Sequence, residues 1–328
     1  MSLNSFTHSI LVLIMKIPFT LFVFIAFCFA ACEPDVKMED FPKDPAFKVE
    51  TLTTKIPGGT GGISVDEDGN IYIGDFGESL DDPGEMGNKV FKVTPEGEFS
   101  EYANGFQMAS GNEFDSRDNL FQASVAGNFI TKISPLGEQN KIVSEGLSNP
   151  VGIVKDEQDN LYVCNCGGGY ISKITPKGEM TQFVKSSLLK CPNGITRDPQ
   201  GNFYVANFYN GAVVKITPDG KAENLIKLPG NNNGHLLYHN NFLYVVARSA
   251  HQIYKVSLDG KAALFAGSGE KGLTDGEALT ASFCYPNDIG ISPDGQYLYV
   301  NDVADTSTEG RKLAPMVLRK IWIRKRAE

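Results

Sequence analysis

Residues 217–221 read TPDGK, and four strings of the same kind punctuate the chain: TPEGE (94–98), SPLGE (134–138), TPKGE (175–179) and SLDGK (257–261). Their glycines, Gly97, Gly137, Gly178, Gly220 and Gly260, recur at steps of about 40 residues. In four of these strings a proline presets the first corner of a turn, and in all of them a glycine accepts the positive φ of the second. Each string follows a short alternating strand (VFKV, ITKI, ISKI, VVKI or IYKV) and precedes another, such as TQFV or AALFA. Each is therefore the turn of a β-hairpin.

A second set of strings sits half a repeat away. DEDGNIYIGD, DSRDNLFQAS, DEQDNLYVCN, DPQGNFYVAN, YHNNFLYVVA and SPDGQYLYVND each read as a polar turn followed by a β-rich strand. Glycine-bearing strand starts precede them: GGISV, GNEF, VGIVK, NGITR, GHLLY and NDIGI. One unit thus holds four strands joined by tight turns, which is a propeller blade. Six copies of the first hairpin stand against five of the second. The unpaired segment FKVETLT, near residue 47, supplies the strand that the sixth unit lacks. Closing the ring this way removes the two exposed sheet edges of an open array. The expected fold is all-β, a six-bladed β-propeller of four-stranded blades over residues 46–328.

The one long apolar run lies at the start. Residues 10 to 31 are nearly all apolar, interrupted by Lys16 and Pro18, and end in Phe29-Ala30-Ala31-Cys32. This is the layout of a secretory signal, and its end resembles a bacterial lipobox, with translation starting at Met1 or at Met15. Residues 1–31 are expected to be a lipoprotein signal peptide and Cys32 the acylated residue. Residues 32–45, polar, acidic and proline-containing, are expected to form a flexible tether. The competing reading is a transmembrane anchor, against which the abrupt polarity after Cys32 weighs. The propeller is then expected in the bacterial cell envelope, outside the cytoplasm, held to a membrane by lipid only.

Composition is that of a globular chain, 41% hydrophobic and 21% charged, with a formal net charge of -9. An acidic chain without a basic cluster is a poor partner for nucleic acid. No zinc-protease helix, nucleophile elbow or phosphate loop is present.

In a propeller, the loops that lead into the innermost strand and out of the second strand gather on one face, where ligand sites sit. Aligning the units places Gly61, Ser110, Val151, Asn193, Asn233 and Asn287 at that mouth, with Asn112, Glu113, His235 and Asp288 close by. Oxygens from Asn193, Asn233, Asn287 and Asp288 would suit a hard cation such as calcium. The same residues also serve as turn devices, since Asn before Gly is a common one. A partner at this face would be a small polar ligand, a glycan or a protein, with the chain a monomer.

LFAGSGEKGLTDGEALTASFCYPNDIGISPDGQYLYVND (264–302) resembles an NHL-repeat junction, and the wider chain resembles the senescence marker protein-30/gluconolactonase family of calcium-dependent propellers. The resemblance implies a calcium-dependent lactonase or esterase that uses a first-blade glutamate, two asparagines and an aspartate. Pro192-Asn193-Gly194 matches one asparagine motif. Pro286-Asn287-Asp288 matches the other in letters but lies in the last blade. Gly61-Gly62-Ile63 stands where the glutamate belongs, and Asn233-Gly234-His235 where the aspartate belongs. With both carboxylates displaced, His235, Glu113 and Asp288 are the candidate catalytic bases. The alternative is a non-catalytic NHL-type module that binds protein, peptide or glycan, with Phe76, Phe208 and Tyr209 as exposed aromatics on the face.

Four cysteines follow Cys32. Cys166 leaves the second strand of blade three and Cys191 leads into the first strand of blade four, which makes them neighbours and a candidate disulfide; the other reading is buried free thiols.

Overall fold

The computed structural model of the protein describes residues 45–80 and 86–323. The signal segment, Cys32, the tether up to residue 44 and the acidic residues Asp81, Asp82 and Glu85 lie outside the described residues.

Six antiparallel sheets form the six blades, and the sole helical piece among the described residues is a 3₁₀ turn, Arg248–Ala250. The innermost strands are Thr60–Val65, Ala109–Phe114, Pro150–Lys155, Pro192–Arg197, Leu236–His239 and Ile289–Ile291. Each blade then steps outward. In blade three the second strand, Leu161–Asn165, is buried throughout, because it has a strand on either side and a neighbouring blade against each face. Its outermost strand, Met180–Lys185, is mixed, with solvent on one side.

The turn at the foot of each first hairpin explains the repeated Asp…Asn spacing. Asp66, Asp115, Asp156 and Asp198 each accept the backbone N–H of the asparagine four residues on, at 2.8 to 2.9 Å. These carboxylates are thus committed to closing turns. The turns of the second hairpins have their glycines at positive φ, from 83° at Gly178 to 93° at Gly97, as the repeated strings require.

Ring closure follows the expectation from FKVETLT. Lys48–Thr51 pairs antiparallel with Met316–Trp322, in register from Lys48 opposite Trp322 to Thr51 opposite Arg319. Apolar layers between blades continue round the join. One buries Val49 and Ala46 with Tyr244 and Phe265 of blade five and Leu298 of blade six. The next packs Ile71, Ile73 and Phe91 of blade one against Tyr299, Met316 and Leu318 of blade six. Burial of this kind, about 25 cal/mol per Å² of apolar surface, is what holds blade to blade.

The innermost strands have a shared irregularity. In blades one to four they slip register against the second strand, between Thr60 and Ile63, Ala109 and Asn112, Pro150 and Ile153, and Pro192 and Gly194. Such a bulge bends the strand and increases its local twist. Gly62, Gly111 and Gly152 lie within their bulges, and Gly194 borders the one in blade four. A Cβ on Gly111 would collide with Val151 O, one on Gly152 with Asn193 O, and one on Gly194 would lie 2.5 Å from His235 Cα. The four strands therefore approach backbone to backbone around the axis.

Candidate functional site: two chambers on one axis

Backbone pairing fixes which residues complete this ring. Ile195 lies opposite Val205 in blade four, and Leu236 opposite Val245 in blade five. His235 therefore occupies the place that Gly194 holds in blade four. By the same count Ile289, opposite Val300, puts Asp288 in that place in blade six. The constriction is Gly62, Gly111, Gly152, Gly194, His235 and Asp288. Where two glycines are missing, two side chains meet instead: His235 Nδ1 lies 3.1 Å from Asp288 Oδ2. Asp288 also locks the last blade to the first, accepting the Ile63 N–H at 2.8 Å, while its other oxygen accepts the Ile289 N–H at 2.6 Å.

The ring divides the axis into two cavities with no lining residue in common. The upper one, about 130 Å³, opens on the face where the chain enters the inner strands. The lower one, about 230 Å³, opens on the opposite face.

The expected metal ligands do not converge. Asn193 and Asn287 line the upper cavity. Asp288 faces the lower one. Asn233 faces neither, because it sits one register step short of Asn193; its amide nitrogen turns back to Ala212 O at 3.3 Å. The expected bases fare likewise: His235, Glu113 and Asp288 all line the lower cavity, beyond the ring from Asn193 and Asn287. The residues ending the second strands cap their own loops. Asp75 accepts the Gly59 N–H at 2.8 Å, Asn165 that of Ser148 at 2.8 Å, Asn207 that of Lys190 at 3.1 Å, and Asp302 that of Cys284 at 2.8 Å.

The upper cavity has a largely apolar wall. One ring of it comes from the residue just after the second strand of blades one to five: Phe76, Val125, Cys166, Phe208 and Arg248. Cys166 is joined to Cys191 by a disulfide that forms part of the wall, while Cys164 and Cys284 are buried free thiols. Burial pushes the Cys284 thiol up to about 12. Tyr209 is 61% exposed at the rim. The loops of blades one and six meet there, with Leu80 N–H donating to Arg311 O at 2.9 Å and Leu313 N–H to Glu78 O at 2.8 Å, which brings Leu80 and Leu313 into the wall.

Two features give this wall polarity. Asn193 uses its amide nitrogen to hold Asn233 O at 3.3 Å, and Asn287 uses its own to hold Thr60 O and Gly61 O at 3.1 Å. Both amide oxygens are left without a described donor. The second feature is Arg248, only 3% exposed. Its guanidinium donates to Gly310 O at 3.2 Å and lies 5.1 Å from the Tyr285 ring centre. No described carboxylate forms an ion pair with it, and burial pulls its pKa down to about 10. The alignment that located the mouth could have found Arg248: it is the one charged residue at a position filled in the other blades by Phe, Val and Cys.

Calcium wants roughly six to eight oxygens with carboxylates among them. The described wall of the upper cavity offers amide and hydroxyl oxygens beside a guanidinium and no carboxylate. Among the described residues no three His, Cys, Asp or Glu side chains stand where they could hold a metal ion. The described residues of the upper cavity do not fit calcium.

In the lower cavity His235 and Asp288 are buried and Glu113 is half-buried. Glu113 accepts the N–H of Phe114 at 3.1 Å, and burial pushes its carboxyl up to about 7. Burial also raises the Asp288 carboxyl, to about 7, and depresses His235 to about 3, so the imidazole is neutral. Asp288 already accepts two backbone N–H bonds, which favour its carboxylate. With Asp288 ionised, the proton of the pair sits on His235 Nδ1 and Nε2 is an acceptor.

Comparison with known proteins agrees with this architecture. Residues 60–192 match the family model described as SMP-30/Gluconolactonase/LRE-like region, and residues 189–216 match the NHL repeat. A gluconolactonase from Xanthomonas campestris superposes with a TM-score of 0.64 at 12% identity, over 86% of this chain and 95% of that one. Virginiamycin B lyase from Staphylococcus aureus does so with a TM-score of 0.60 at 17% identity, over 85% and 100%. A structural-genomics protein of unknown function from Bacteroides thetaiotaomicron reaches 0.68 at 16% identity, over 84% and 76%. At such identities the likeness is one of fold. No curated protein matches the chain.

Proposed function

For a six-bladed propeller of the SMP-30/gluconolactonase-like and NHL-repeat kind, we propose a binding role: the upper cavity takes a small molecule with an apolar body and a carboxylate or similarly anionic end. The observation that carries this reading is Arg248, a buried guanidinium that has no ion-pair partner among the described residues and lies in a largely apolar wall. A buried charge is costly unless paired, and a ligand carboxylate would supply the missing partner through a charge-assisted, fork-shaped contact. Asn193 and Asn287 add two acceptors for a hydroxyl or amide on the ligand, and Phe76, Phe208 and Tyr209 add flat apolar surface.

Hydrolysis of lactones or esters in this cavity is less well supported. A water-activating base must lie within reach of the reacting carbonyl, and no carboxylate or imidazole of the described residues lines the upper cavity. Phe29-Ala30-Ala31-Cys32 supports a lipid tether, so the binding face would be presented from an envelope membrane.

Calorimetry with a panel of aryl and alkyl carboxylates, 4-phenylbutyrate among them, tests the reading. Binding by the wild type that falls at least about tenfold in Arg248→Gln is expected, since hydrogen bonds to charged groups contribute about 1.5–3 kcal/mol. A panel that fails to bind, or that binds both proteins alike, would overturn it.

A further inference from the structure

The lower cavity is a chamber of its own, with polar groups that the upper cavity neither uses nor reaches. We propose that it is a second binding site, opening on the opposite face, for a small organic cation: a primary ammonium group on a short apolar body.

Three observations carry this. The first is an excess of acceptors. Asp288 is saturated by Ile63, Ile289 and His235. As a carboxylate it takes the His235 Nδ1–H and leaves Nε2 as an acceptor lacking a described donor, on a side chain only 5% exposed that lines the cavity. Glu113 has one oxygen engaged by a backbone N–H and the other without a described donor.

The second observation is that donors are few: Thr196, whose hydroxyl accepts the Tyr238 N–H at 3.0 Å, keeps an O–H to give, while the others are engaged. Ser64 gives its hydroxyl to Asn112 O at 2.9 Å, and the Asn112 amide is directed to Gln122 Oε1 at 3.2 Å. Lys155, the nearest cation to Glu113, pairs with Asp159 at 3.4 Å. An ammonium brings three donors and one positive charge, which is the complement of this set.

The third is the wall. Ile63, Ile153, Ile195, Leu236 and Ile289 form an apolar belt just below the ring. A fully hydrated metal ion gains nothing from such a surface, whereas an alkyl chain is buried against it.

The test uses the purified full chain, with n-butylammonium titrated in a calorimeter against n-butanol, its neutral counterpart. The amine is expected to bind at least about tenfold more tightly than the alcohol, the range of a charge-assisted hydrogen bond. Glu113→Gln should abolish that difference, and Arg248→Gln, at the other end of the axis, should leave it intact. Equal affinity for alcohol and amine overturns the proposal, as does full retention of amine affinity in Glu113→Gln, or absence of binding at about 10 mM amine. None of these outcomes depends on the carboxylate panel, so the two sites stand or fall separately.

Discussion

Glu113 stores a pH dependence in a single side chain. Its carboxyl titrates near 7 in the folded chain and near 4.3 when unfolded. Between those values the folded state keeps a proton that the unfolded state has lost. The stability tied to this proton is complete below the unfolded value and is lost as pH rises through the folded one. The wild type should therefore lose about 2 kcal/mol between pH about 5 and about 7.5 that Glu113→Gln does not lose, with partial exposure already discounted. Denaturant titrations of both proteins at several pH values measure it, and parallel profiles would remove Glu113 from the account. Residue identities were where the sequence was hardest to read. Asn233-Gly234 repeats the letters of Asn193-Gly194, yet the pairing of Leu236 with Val245 shifts blade five by one residue and puts His235 at the ring. Letters repeat, but buried apolar alternation sets register. Arg248 is legible only one residue past the string YHNNFLYVVA, where its charge stands against Phe, Val and Cys in the other blades, and what that charge means depends on its neighbours in space.

At the scale of strands, the repeats made almost everything legible. Turn glycines, strand alternation and the count of hairpins lead directly to six blades and to the strand borrowed from the N-terminal side. Sequence repeats do not show that the loops of blades one and six bridge each other, because neither loop recurs. The borrowed strand has the most direct test. Val49 is 1% exposed in the layer between blades five and six. Val49→Asp puts an unpaired charge there and should cost about 3–5 kcal/mol. Urea unfolding should show this cost, together with faster proteolytic cleavage within residues 45–57. A cost under about 1 kcal/mol would mean that Lys48–Thr51 contributes little to closure.

For the whole molecule, the untested link is the one between propeller and membrane. If Cys32 is acylated, the full chain should sediment with membranes and Cys32→Ala should appear in the soluble envelope fraction, with Met15 as a second start that leaves the outcome unchanged. A soluble wild type would put the tether aside. The propeller itself differs between its ends: the upper face offers a guanidinium without an ion-pair partner among the described residues and aromatic surface, and the lower face offers acceptors beside an aliphatic belt.

The backbone ring that separates them has an evolutionary reach. Because Gly62, Gly111, Gly152 and Gly194 have no side chains to exchange and His235 and Asp288 bind each other, the waist of the molecule is hard to alter, while both rims remain open to change. Two bowls set back to back on such a waist can be reshaped one at a time. A lineage that reshapes one bowl inherits the other unaltered.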